Sequence, residues 1–301
     1  MKHNLKITAI ILGMFILTQL IGMFVINFYL GNTLPYGLGV SFSGEQNYTP
    51  NFVSIIISFV IAISLFFILT KYKIKHALRI WFFVVVLIAL GVTFSAFLLA
   101  IFPNIGTLKW ISLFALVLAL PLALSKIYSR NILSHNISEL FIYPGIAVLF
   151  IPLLNVLYLA IFLILISVYD MWAVWKSGIM QKMAKYQIKE LKLFSGFFVP
   201  YLNKEQRKQI KLMKGSSKSK TKKIKVSVAM LGGGDVIFPI ISAGVLYQAF
   251  NNFLAPLFVI LGALLGLGLL LLFSQKKKFY PAMPFISAGI FLAIGVCYLV
   301  L

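Results

Sequence analysis

The sequence predicts an all-α, polytopic membrane protein of nine transmembrane helices, and three observations carry that expectation. Of its 301 residues 61% are hydrophobic and only 11% charged, against roughly half apolar and a quarter charged in soluble domains. Its apolar runs reach or exceed the ~20 residues that a helix needs to cross a bilayer, without the long period-2 alternation of a transmembrane β-barrel. Its basic residues collect in alternate loops, as the positive-inside rule requires of a chain that crosses repeatedly.

The first run, Leu5 to Tyr29, follows a basic start as a secretory signal would. It is about twice the length of a signal core and no A-x-A site closes it, so it is expected to be retained as a span. Further runs lie at Asn51 to Thr70, Ile80 to Phe102 and Thr107 to Ser125. The stretch from Leu140 to Trp175 is too long for one crossing. Pro152 and Asn155 break it where a tight turn fits, giving a short span and one of normal length. The last three runs are Val226 to Gln248, Phe253 to Phe273 and Tyr280 to Val300.

Charge supports that division. Lys and Arg flank both ends of the 140–175 stretch, which requires an even number of crossings between them. With nine spans, all but Lys109 of the 27 basic residues fall on one side. The N-terminus is therefore expected in the cytoplasm and the C-terminus outside. The chain divides into a bundle of six helices over 1–175, a basic cytoplasmic loop over 176–225 and three further helices over 226–301.

The net charge of +21 is thus an orientation signal and not a nucleic-acid footprint. The loop from Lys176 to Lys225 holds most of it, and anionic lipid headgroups are its expected partner at about 1 kcal/mol per basic residue near the surface. Within it "LFSGFFVPYL", Leu193 to Leu202, reads as a lipid-adherent linker or as an apolar plug over a site. Cys297 is the only cysteine, which leaves neither an internal disulfide nor a cysteine-based metal cluster. No metal or cofactor is expected.

Six residues are acidic. Glu45, Glu190 and Glu205 lie in loops and Glu139 at the start of the fifth run, which leaves Asp170 and Asp235 within predicted spans. An aspartate in hydrocarbon costs several kcal/mol, so such residues line a wet cavity or pair with one another. Asp170 lies six residues before Lys176 and Asp235 ten after Lys225, which puts both in the cytoplasmic half of the bilayer. Two carboxylates at close range without a cation share one proton, and the ionised member is then a base for water while the protonated one polarises a carbonyl. Gly232, Gly233 and Gly234 directly precede Asp235. Each lowers helix propensity by about 1 kcal/mol, freeing the backbone to unwind or approach closely, and Pro239 adds a kink. Close helix packing is the alternative use of such small residues.

The residues "VYD" ending at Asp170, "GGGD" from Gly232 to Asp235 and "PAMPF" from Pro281 to Phe285 resemble, in order and span position, the YD, GxGD and PAL motifs of the presenilin and signal-peptide-peptidase family. The likeness covers the arrangement of all nine spans, with motif identity in about a dozen residues. It implies a presenilin-like fold and an intramembrane aspartyl protease whose catalytic pair is Asp170 and Asp235. It further implies that Tyr169, Gly232, Gly234, Pro281, Ala282 and Met283 shape the active site and substrate contact. Met283 stands where the family has Leu, a change that conserves volume. The orientation resembles presenilin and is opposite to that of signal peptide peptidase. Compact, Lys-rich loops look like a prokaryotic, archaeal-type homologue of the plasma membrane that cleaves transmembrane-helix substrates without an obligatory accessory subunit.

Two other functions fit parts of the sequence. Prepilin or preflagellin leader peptidases also carry a GxGD aspartate, but with fewer spans and no PAL-like segment. Ion- or proton-coupled transporters use intramembrane carboxylates and glycine-broken helices, yet usually show internal repeats, which single-copy motifs on nine spans do not supply. A zinc protease lacks its H-E-x-x-H here, and a serine such as Ser242 lacks an intramembrane histidine to activate it.

Overall fold

A computed structural model describes residues 5–38, 48–71, 75–103, 108–129, 131–176, 195–201, 227–274 and 280–301. The helices are α1 (Leu5–Leu30), α2 (Tyr48–Lys71), α3 (Lys75–Ile101), α4 (Leu108–Tyr128), α5 (Ile132–Phe150), α6 (Val156–Met171), α7 (Gly233–Phe250), α8 (Leu254–Phe273) and α9 (Met283–Val300). Among the described residues eight helices are long and apolar enough to cross a membrane, and α2, 24 residues and also apolar, occupies the position of the expected second span. Two short strands, β1 (Gly196–Tyr201) and β2 (Ser227–Gly232), pair antiparallel with Gly196 opposite Gly232 and Tyr201 opposite Ser227.

The expected break between the fifth and sixth helices is a 3-10 turn over Ile151–Leu153. Pro152 cannot donate to a preceding carbonyl, and Asn155 then caps α6 by accepting from the Tyr158 N–H at 2.8 Å. Helices α1, α5 and α7 pack on one another at the centre, with α3 against α5. Phe15, Ile26, Tyr29, Tyr143, Leu159 and Leu246 are fully buried there. The most extensive helix pair is α8 with α9. A Cβ on Gly289 would overlap the Gly262 carbonyl, and one on Gly266 the Phe285 carbonyl, so these backbones touch directly, as small residues permit in membranes. Gly289→Val is therefore expected to cost about 1–3 kcal/mol by forcing the pair apart, read as a lower thermal unfolding midpoint in detergent.

Three sequence expectations need correction. The seventh span does not begin at Val226: residues 227–232 form β2 and the helix starts at Gly233. Partner strand β1 takes up the backbone hydrogen bonds that a helix would have used, and the glycines do not resist. The fifth helix begins at Ile132, not near Leu140, because Asn131 caps it through the Leu133 N–H and its polar first turns find partners inside the protein. Glu139 consequently lies within the span and is fully buried, so Asp170 and Asp235 are not the only intramembrane acids. Lys126 pairs with it from the last turn of α4, and His135 from α5 at 3.4 Å. Of the segment Leu193–Leu202, read as a linker or plug, residues 196–201 form β1, and apart from Lys176 and Ser195 the rest of the 176–225 loop lies outside the described residues.

Candidate active site

Asp170 lies in the last turn of α6, directly before a π-helical turn over Trp172–Lys176. It is buried, with 8% of its surface exposed. Its partners come from the start of α9. The Met283 N–H donates to Asp170 Oδ2 at 3.1 Å and the Ala282 N–H donates to the same carboxylate. These donors are available because the first amides of a helix have no intrahelical acceptor. Pro281, which has no N–H, is buried just before them, and Pro284 occupies the first turn of α9, where proline is tolerated. One turn deeper, Ser167 donates to Ser287 Oγ at 2.9 Å, pinning α6 to α9 beside the carboxylate.

The glycine run is the junction from strand to helix. Gly232 is the N-cap of α7 in extended conformation, and Asp235, three residues later, reaches back to the Gly232 N–H. That is the geometry of a capping box, in which an acid at the third helical position satisfies an orphan amide at the cap. Each glycine meets a different environment. A Cβ on Gly232 would stand 3.2 Å from Asp235 Oδ2; one on Gly233 would stand 2.7 Å from Ser195 Oγ and 3.0 Å from Tyr143 Oη; one on Gly234 would meet only Phe238, at 3.6 Å. Gly233 is thus the position that close packing requires, and Gly234 is exposed.

Asp235 is half-buried and within electrostatic reach of Asp170. The fold therefore brings Asp170, Asp235, Gly232, Ala282 and Met283 together, each carboxylate lying at a helix N-terminus whose dipole favours negative charge. Tyr169 is not brought to the pair. It is 46% exposed on the outer face of α6, its ring 6.3 Å from that of Trp172.

Some neighbours of the site were not singled out from the sequence. Gln19 of α1 is buried and its Nε2 donates to the Val236 carbonyl at 3.0 Å, in the first turn of α7. Tyr143 of α5 is fully buried against Gly233 and packs edge-on against Phe197 of β1. A lone glutamine in the first apolar run was the available signal for the former. Tyr143 carried none, because an aromatic residue in a span is ordinary.

Apolar helices that bring two carboxylates within reach of each other, and hold both by backbone amides, define a class: the membrane-embedded aspartyl hydrolase. The family model described as "Signal-peptide peptidase, presenilin aspartyl protease" matches residues 12–300. The chain belongs to this family, and it is accordingly a multi-pass membrane protein and an aspartic endopeptidase. A solved structure of a presenilin family intramembrane aspartate protease in space group C222 superposes with TM-score 0.63 at 18% identity, covering 98% of this chain and 99% of the other. One in space group P2 gives TM-score 0.59 at 17% identity, covering 99% and 98%. These likenesses establish the presenilin fold. No curated protein matches the chain.

Proposed function

We propose that Asp170 and Asp235 are the catalytic pair and that they hydrolyse a peptide bond within a transmembrane segment of another membrane protein. The observation that carries this reading is their arrangement: Asp170 held by the Ala282 and Met283 amides, and Asp235 held at the start of α7, within electrostatic reach of it. The ionised aspartate takes a proton from water as its oxygen attacks the scissile carbonyl carbon, while the protonated one donates to the carbonyl oxygen. The diol then collapses, the C–N bond breaks and the amine nitrogen takes a proton from the pair. Gly232, Gly234, Pro281, Ala282 and Met283 shape this site, and Tyr169, on the lateral face, contacts the arriving substrate helix.

A helical peptide bond is shielded and its carbonyl engaged, so the substrate unwinds to be cut. The strands offer it a template. On β1, Gly196 and Phe198 direct their backbone groups away from β2 into side chains of α5, so Met230, opposite Phe198, and by the same alternation Val228, opposite Pro200, direct theirs outward from β2 as well. Their side chains are exposed. A substrate strand that adds to this edge of β2 leads directly to Asp235.

The N-terminus lies in the cytoplasm and the C-terminus outside, in the plasma membrane of a prokaryote. The regions 1–175, 176–225 and 226–301 act as first-aspartate bundle, basic surface loop and second-aspartate bundle, the loop resting on anionic lipid. No accessory subunit is needed. Gly234→Leu is expected to slow cleavage at least tenfold with little change in thermal stability, since the position is open enough for a side chain but borders Asp235. Equal losses of both would instead favour a packing role.

The decisive experiment is mass spectrometry of the products formed when the purified protein is incubated in detergent with single-span peptides. Cuts inside the apolar segment are expected. Intact peptides, together with an ion flux in liposomes that depends on Asp170 and Asp235, would replace protease by transporter.

A further inference from the structure

Glu139 is an intramembrane acid that the hydrolysis does not use. It is fully buried, paired with Lys126, 3.4 Å from His135 Nε2, and accepts the Gly196 N–H at 3.2 Å. Its neighbours on the first turns of α5 complete a pattern. His135 Nε2 meets the Gly196 carbonyl at 2.8 Å; Asn136 Nδ2 donates to the Phe198 carbonyl at 2.8 Å, and Asn136 Oδ1 accepts the Phe198 N–H at 3.0 Å. Both backbone groups of two alternate residues of β1 are thus met by side chains in the way that a neighbouring strand would meet them. Tyr143, one turn beyond Glu139, continues the contact to Phe197 and to Gly233.

A buried ion pair is poor at stabilising a fold, because desolvation offsets most of the attraction, and its best-attested use is to fix a register. Here it sits where a register needs fixing. A two-stranded ribbon with one edge open slides readily unless something marks its position, and sliding β1 by two residues would move β2 and hence the strand bound to it. We propose that Glu139, Lys126, His135 and Asn136 form a latch that holds β1 by its backbone and so determines which substrate bond is presented to the two aspartates. They are positioning residues for cleavage-site choice, and the proposal rests on the reading of β2 as the substrate's docking edge.

The test is the distribution of products by mass spectrometry from one single-span peptide, for the unaltered protein, for Asn136→Ala, and for Lys126→Met combined with Glu139→Gln. The double variant leaves no unpaired charge behind, and Asn136→Ala keeps the ion pair intact. The unaltered protein's own products test the docking reading; the variants test the latch. The expected result is a spread to neighbouring bonds, with the share of minor products rising about twofold or more as register loosens, in variants that still fold and unfold cooperatively, and with Asn136→Gln closer to the unaltered pattern than Asn136→Ala. The same bonds in the same ratio, at whatever rate, would overturn the proposal. So would unfolding of both variants, because the cluster would then serve stability alone.

Discussion

Asp170→Asn and Asp235→Asn are each expected to reduce peptide cleavage by about 10³-fold or more, within the ~10²–10⁴ that a positioned acid or base contributes and with little activity left without the pair. Asparagine keeps the shape of the side chain and its acceptor oxygen, so the Met283 and Ala282 amides retain a partner at residue 170 and the Gly232 amide retains one at residue 235. What disappears is the group that takes or gives a proton. The measurement is the initial rate on a single-span peptide beside a thermal unfolding curve of the same preparation. Full activity in either variant would remove that residue from the chemistry, and an unfolded variant would show instead that its charge is structural. In the proposed mechanism the two act as one unit, so the double variant is expected to lose little more than either alone.

Met230→Pro is expected to raise KM about tenfold or more. Proline at this position sacrifices no bond to β1, since Met230 stands opposite Phe198 in a pair whose backbone groups point away from each other. It removes the outward N–H, worth about 0.5–1.5 kcal/mol to a bound strand, and puts a ring where the substrate backbone would lie. Leu231→Pro is the contrasting case, because Leu231 faces Phe197 and its N–H points into the ribbon. That variant should lose stability as well as activity. If Met230→Pro left KM unchanged, the substrate would have to approach along another surface.

The number and order of the helices were legible in the sequence because hydrocarbon imposes a local rule: each span must be long, apolar and internally hydrogen-bonded. Asp170 and Asp235 were legible for the same reason, since a lone acid in such a run is costly. Boundaries were less so wherever a distant partner decides them. The start of α7 depends on β1, which pairs with residues 227–232, and hydropathy alone extends that helix to Val226. Glu139 looked like a residue at a helix mouth because its cation lies 13 residues earlier on another helix and its amide partner 57 residues later on a strand. No local pattern announces such a pair. The three glycines were read as freeing the backbone to unwind or approach closely, with close packing as the alternative; Gly232 caps a helix that starts at Gly233, and their unequal surroundings follow from Ser195, Tyr143 and Phe238, none of which the motif contains.

The junction at Gly232 also determines how the protein meets its bilayer. With 18 residues α7 spans about 27 Å, whereas α1 with 26 residues extends for about 39 Å. The former falls short of a hydrocarbon layer of ~30 Å, and the hydrogen-bonded ribbon makes up the remainder on the side where Asp235 lies. A span this short is matched by local thinning of the bilayer. Thinning of that kind would bring the aqueous boundary closer to Asp235, so the length of α7 ties the surroundings of this carboxylate to the thickness of the bilayer.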